Sequence, residues 1–221
     1  MSGTSGDGVD ASIINSDGQN AYNVLTNKYV KYSEELSGNI HKLKNKINNL
    51  DDIKNLNIEI NELERDITIF HSKVVTDILR NRGLNPDFIG FHGQTILHNP
   101  TDKFSVQLGD GKLLSQLIRK KVIYNFRQND IKNGGEGAPL TPIFHQIIVK
   151  QNKIDMPVCI LNIGGISNLT LIKDNSNNGI ISKDLGPGNC LIDEWIRRNN
   201  KGNYDAVSYT HLRAHETKSY L

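Results

Sequence analysis

The stretch FIGFHGQTILHNPTDKFSVQLGDGKLLSQLIRKKVIYNFR, residues 88–127, decides the fold class. Its opening apolar run, 88–91, predicts a short buried strand that delivers His92, Gly93, Gln94 and Thr95. Residues 105–108 predict a second strand, turning at Gly109-Asp110-Gly111. Residues 113–119 then read as a helix and 122–126 as another strand.

The same alternation extends in both directions. Upstream, Ile60, Leu63, Ile67, Phe70, Val74 and Ile78 recur every three or four residues, one face of a long helix over 58–82. Gly83 ends that helix, and Asn85-Pro86 reinforces the stop. Residues 20–57 are polar and mostly helical in pattern, preceded by a strand over 11–14 and a turn at 16–18. Downstream, a glycine-dense loop over 133–142 leads to a helix over 143–150. Residues 158–163 form a continuous apolar strand, Gly164-Gly165 turns it, and 167–172 returns as the second arm of a hairpin. A turn at 175–178 and Ile180-Ile181 lead into Asp184, and 191–198 reads as a helix with Trp195 on its apolar face. Alternating strands and helices, with no internal repeat and no long linker, predict an α/β protein.

Composition narrows the class further. The 221 residues carry 26 Lys+Arg against 24 Asp+Glu, a net charge of +2 that gives no field suited to nucleic acid or an acidic membrane. No apolar run reaches the roughly 18 to 20 residues of a membrane span. The start, MSGTSGDGVDAS, lacks the basic and apolar regions of a secretory signal, so a cytoplasmic location is expected. Cys159 and Cys190 sit in apolar surroundings outside any CxxC, and Cys159 reads as a core thiol.

The two ends read differently from the rest. Up to Tyr204 the chain is rich in Asn, Lys and Ile, but VSYTHLRAHET, residues 207–217, matches the translation of a transposase sequencing adapter. Residues 206–221 are therefore expected to be non-native, which removes the metal-ligand reading of His211 and His215. The glycine loop at the start hangs from no preceding strand, so an internal or truncated beginning is expected there.

Four loops carry chemistry. In the first, Gly3, Gly6 and Gly8 let backbone N–H groups approach an anion and Thr4 and Ser5 supply hydroxyls, while Asp7 and Asp10 can hold Mg²⁺ against phosphate. The Gly-Lys-Ser/Thr ending of a Walker loop is absent, and an ordinary surface turn is the other reading. In the second, Asn162 to Asn168 places Gly164-Gly165 at a hairpin tip, either a second phosphate loop or a plain tight turn. The third, Asp184-Leu185-Gly186-Pro187-Gly188-Asn189, sets an acid at a strand end before a rigid turn and a helix N-terminus, as a general base or as a turn-closing Asp. The fourth gathers His92, Gln94, Thr95, Gln107, Asn125, Arg127 and Asp130 at one rim of the sheet, where α/β proteins bind ligands.

MSGTSGDGVDA, FHGQTILHNP, VQLGDGKLL, NFRQNDIKNGGEGAPLTP, LNIGGISNLT and DLGPGNCLIDEW, in this order, resemble the anhydro-N-acetylmuramic acid kinase family of the actin-like, sugar-kinase and heat-shock ATPase superfamily. The resemblance covers residues 1–205. It implies an actin-like ATPase domain of ribonuclease H-like fold, with the first domain nearly complete here and the second largely missing. It implies binding of ATP, Mg²⁺ and 1,6-anhydro-N-acetylmuramic acid, hydrolytic opening of the anhydro ring, and phosphorylation of O6 to N-acetylmuramic acid 6-phosphate in peptidoglycan recycling. Asp184 matches the family's general base. Gly3, Thr4, Ser5, Gly6, Asp7, Gly8, Val9 and Asp10 match its ATP-phosphate loop, and Asn162, Gly164 and Gly165 fall at the second phosphate loop. His92, Gln94, Thr95, Arg127, Gly186 and Asn189 fall on the sugar side, where the Arg127 fork suits the lactyl carboxylate. Gly6 stands where the family usually has Leu, and Leu185 where it usually has Thr. A homodimer is left open, and the 221-residue chain by itself is expected to be inactive. The alternatives are a different sugar kinase and a non-catalytic actin-like protein that binds nucleotide or sugar.

Overall fold

The structure, a computed structural model, describes residues 2, 3, 5–99, 102–199 and 202. Thr4 and residues 206–221, including His211 and His215, lie outside the described residues. The chain divides into two units, Met1–Leu140 and Thr141–Leu221.

The first unit opens with an antiparallel hairpin, β1 (Gly8–Ser16) and β2 (Tyr22–Lys31). The strand thus begins at Gly8 rather than at residue 11, and 22–31 is not helical. In β2, Leu25 is the extra residue of a bulge opposite the Ile13/Ile14 step and breaks the alternation of the strand, while the ladder with β1 satisfies its backbone. Asp17 closes the turn by accepting from the N–H groups of Gln19, Asn20 and Ala21.

Helix α1 (Glu34–Lys46) starts where the Ser33 hydroxyl accepts from Leu36 N–H. Leu36, Ile40 and Leu43 fall on one stripe of it and are buried. After the short α2 (Leu50–Asn55) comes α3 (Asn57–Arg82), which ends at Gly83 in the left-handed conformation, φ +60. Its stripe of Ile60, Leu63, Ile67 and Val74 meets that of α1, and Val9, Tyr32, Ile96 and Leu108 close one core beneath the hairpin. Completely enclosed residues such as Ile40 and Ile67 each stabilise this core by about 2 kcal/mol.

The stretch 88–127 supplies the α/β character. Strand β3 (Ile89–Phe91) pairs in parallel with β6 (Val122–Tyr124). Between them lie an antiparallel pair, β4 (Gln94–Asn99) and β5 (Phe104–Leu108), and helix α4 (Gly111–Ile118), capped by Asp110. Gln94 and Thr95 are therefore the first residues of a strand, not a loop. Gly93 makes the sharp turn into it: its φ is +73, and a Cβ there would run into the Leu108 carbonyl. Phe126 opens helix α5 (Phe126–Lys132) instead of ending a strand, because Asn125 turns the backbone left-handed, φ 60.

The second unit contains α6 (Pro142–Gln151), an antiparallel sheet in the order β7 (Val158–Ile163), β8 (Ile166–Ile172), β9 (Ile180–Pro187), and α7 (Cys190–Arg198). Val158, Ile160, Asn162, Asn168, Thr170, Ile172, Ser182 and Asp184 share one face by register. On it, Thr170 is fully buried and its hydroxyl bonds His145 of α6 at 2.8 Å. Cys159 belongs to the opposite face, with Leu161 and Ile163, and is exposed rather than a core thiol. Among the described residues no helix is long and apolar enough to cross a membrane; α3 spans about 39 Å but carries charge on its outer side.

Candidate functional site

The candidate residues fall into one group per unit. In the first unit the loop ahead of β1 is held by its carbonyl oxygens. Gly3 O accepts from Gly6 N–H at 3.2 Å and from the Gln94 amide at 2.8 Å. Gly6 O accepts from the Ser37 hydroxyl at 2.8 Å, and Asp7 O from Tyr32 N–H at 2.9 Å. Carbonyl oxygens repel phosphate, so turning them onto scaffold donors is what an anion-binding loop requires. Gly6, at φ +67, provides the left-handed step. Ser5 is exposed and donates to Asp7 Oδ1 at 2.7 Å. Gly8 and Val9 lie in β1, and the Val9 side chain is 1% exposed, so it belongs to the core and leaves only backbone for a ligand. Asp10 is exposed on the strand.

Below this loop, His92 and Arg127 meet. His92 Nδ1–H donates to Gly93 O at 2.9 Å, so its Nε2 is the acceptor for Arg127 Nε–H at 2.8 Å. Burial holds the His92 pKa below the ordinary histidine range; the Gly93 contact opposes this and the Arg127 charge adds to it. Arg127 Nη1 also donates to Gly137 O at 2.9 Å, and Gly137 N–H donates to Asp130 Oδ2 at 2.8 Å. The glycine-dense loop thus folds back on the arginine, and α5 aims the guanidinium at the end of β3. Thr95 is half-buried in β4, and Gln107, its register partner, donates to the Ser105 hydroxyl at 2.6 Å. Gln94 differs from these: it is fully enclosed, with its amide on backbone and no exposed atom.

In the second unit the register sets Asn162 opposite Asn168, and Asn168 opposite Asp184. Cross-strand neighbours of this kind stand about 5 Å apart at Cβ. Strand β9 runs on through Pro187, so Asp184 lies inside the strand and not at its end. Leu185 is the extra residue of a bulge opposite the Ser167/Asn168 step, which bends the strand just after the carboxylate. Beyond the bulge, Gly188 N–H donates to Gly165 O and Asn189 N–H to Gly164 O, both at 2.9 Å. The Gly-Gly tip and the Gly186–Asn189 segment are thereby stitched into one structure, and Gly188 has no room for a side chain against the Gly164 carbonyl. Asp184 and Asn162 are exposed, Gly186 is half-buried, and Asn189 caps α7 without a side-chain hydrogen bond.

Sequence reasoning missed Asn168, whose Oδ1 is buried without a hydrogen-bond partner in the middle of this row. The alternation of β8, which puts Asn168 on the face of Thr170 and Ile172, was the signal for it. Ser37 and Tyr32, which hold the first loop from outside, carry no motif. Among the described residues no three His, Cys, Asp or Glu side chains converge as a metal site. Mg²⁺ fits here only in its usual manner, through nucleotide phosphates, water and one or two carboxylates such as Asp7 and Asp10.

These features define a mixed α/β protein with glycine-rich segments beside polar side chains, and comparison with known proteins gives the family. The family model described as "Anhydro-N-acetylmuramic acid kinase" matches residues 1–214. Curated anhydro-N-acetylmuramic acid kinases are 54% identical over 205 residues in Pelagibacter ubique, 43% over 202 in Gluconobacter oxydans and 37% over 210 in Brucella canis. The alignments cover 93%, 88% and 93% of this chain and 55%, 54% and 56% of those relatives, so the chain spans about half their length. The chain belongs to the anhydro-N-acetylmuramic acid kinase family, which implies a sugar-kinase, actin-like ATPase fold.

Proposed function

We propose that the full-length protein is an ATP-dependent cytoplasmic kinase that opens 1,6-anhydro-N-acetylmuramic acid with water and phosphorylates O6, giving N-acetylmuramic acid 6-phosphate for peptidoglycan recycling. Asp184 takes a proton from water as the water oxygen bonds to the anomeric carbon. The anomeric carbon–O6 bond breaks, and O6 leaves with the electron pair. That alkoxide then bonds to the γ-phosphorus as ADP departs, a step that needs mainly positioning and charge neutralisation. In the first unit the amides of the loop over residues 3–10 would meet phosphate, and Asp7 and Asp10 would hold Mg²⁺, which supplies neutralisation of phosphate charge; in the second unit the Gly164-Gly165 tip would offer phosphate-binding amides of its own. In the first unit Arg127, aimed by His92 and Gly137, receives the lactyl carboxylate, with Thr95 as a further sugar contact; in the second unit Gly186 and Asn189 are the residues assigned to the sugar. In this reading the chain supplies the first domain and the start of a second.

One observation carries the assignment: the Asn162–Asn168–Asp184 row sits beside two glycine segments joined by the Gly188–Gly165 and Asn189–Gly164 hydrogen bonds. A carboxylate that merely closed a turn needs no such neighbours. The test follows phosphate transfer from ATP to the anhydro-sugar in full-length protein. Wild type should transfer, and Asp184→Asn should lose transfer while still binding ATP. Binding without transfer in wild type would leave a non-catalytic actin-like protein.

A further inference from the structure

Gln94 opens β4 at 0% exposure, and its amide nitrogen donates to Gly3 O at 2.8 Å and to Thr95 O at 3.3 Å. Its Oε1 is buried with no hydrogen-bond partner. One residue earlier the relation is reversed: the Ser2 hydroxyl, itself 2% exposed, donates to Gly93 O at 3.1 Å. Two segments 91 residues apart thus each hold a backbone carbonyl of the other. An enclosed amide with its donor on Gly3 has no surface left for a sugar.

We infer that Gln94 is a positioning residue for the phosphates of ATP, acting through the Gly3 peptide, and not a sugar contact. This rests on the reading of residues 3–10 as the ATP-phosphate loop. Gly3 has open space around it, its would-be Cβ meeting only the Ser5 hydroxyl at 3.5 Å. A glycine peptide so placed rotates at little cost. Rotation would swing the Gly3 oxygen toward the ligand, where it repels phosphate. The Gln94 amide, at 2.8 Å, keeps it turned inward together with the longer bond from Gly6 N–H, at 3.2 Å.

The side chain's own chemistry separates positioning from folding. Gln94→Met keeps the length and removes the donor together with the orphaned acceptor, and Gly3 O keeps its bond from Gly6 N–H, so no acceptor is left unpaired there and stability changes little. Gln94→Glu replaces the donor with a carboxylate facing the Gly3 carbonyl.

The experiment measures KM for ATP, KM for the anhydro-sugar and the melting temperature in full-length wild type, Gln94→Met and Gln94→Glu, with direct ATP binding by calorimetry. Loss of one hydrogen bond predicts a rise in KM and Kd for ATP of about fivefold in Gln94→Met, and a larger rise in Gln94→Glu. KM for the sugar and the Gln94→Met melting temperature should stay at the wild-type values. A rise confined to the sugar KM overturns the inference while the kinase reading stands. Equal loss toward both substrates with a lowered melting temperature in Gln94→Met makes the residue merely structural and also overturns it. Wild type that binds no ATP removes the phosphate-loop reading itself, and the inference with it.

Discussion

His71 gives a direct test of how the first unit is packed. It lies on α3 at 2% exposure, and Nδ1–H donates to Ile67 O at 2.8 Å. The ring meets Phe91 edge-on at 5.0 Å between centroids and Tyr32 at 6.3 Å, and Nε2 is buried without a hydrogen-bond partner. A proton on Nε2 would be a buried cation with no acceptor. Burial therefore pushes the pKa from 6.5 down to about 4, against the small opposing effect of the Ile67 carbonyl. The unfolded chain binds this proton from about pH 6.5 downward, whereas the folded protein refuses it until about pH 4. The stability is intact above pH 6.5 and is lost as pH falls toward 4. At pH 4.5 the loss is about 2–3 kcal/mol. The assay is urea unfolding at pH 7.5 and 4.5, followed by the far-ultraviolet signal of α1 and α3, for wild type and His71→Phe. Phenylalanine keeps the ring contacts and cannot titrate, so the wild type should lose about 2–3 kcal/mol more than the variant over this interval. Equal losses in the two proteins would refute the enclosed neutral imidazole.

Two further outcomes follow from backbone and side-chain geometry. Gly93→Ala should destabilise the protein by about 2–3 kcal/mol, from the left-handed φ of +73 and the overlap with the Leu108 carbonyl, visible as a lower melting temperature. A loss below about 1 kcal/mol would mean that β5 yields easily there. Arg127→Lys cannot keep both the His92 and Gly137 contacts and cannot present a fork, so KM for the anhydro-sugar should rise about tenfold with KM for ATP unchanged. A change in the ATP term alone would place Arg127 on the nucleotide.

How far the sequence could be read depended on the kind of signal. The period of Ile60, Leu63, Ile67 and Val74 fixed α3 because a helix buries a stripe whatever its neighbours are, and Gly83 marked its end because only glycine turns left-handed freely. The hairpin of β7 and β8 was legible for a similar local reason, an apolar run broken by Gly164-Gly165. β2 was not, because the bulge at Leu25 breaks its period of two and its pairing with β1, not its own pattern, defines it as a strand. Cys159 looked like a core residue because apolar neighbours in sequence are not apolar neighbours in space: alternate residues of a strand face opposite ways, and Cys159 shares its face with Leu161.

The candidate site divides along the same line. The glycine loops, Asp184, His92 and Arg127 were each marked by residue type, since chemistry of this kind needs a carboxylate, a flexible backbone or a guanidinium fork wherever the chain folds. The sequence by itself determined that inventory and the α/β class. Only the tertiary structure decided the roles within it: Val9 went to the core, Gln94 to the Gly3 carbonyl, and Asn168 into the row with Asp184. Those assignments depend on strand register and on contacts between segments 91 residues apart, and neither leaves a trace in local composition.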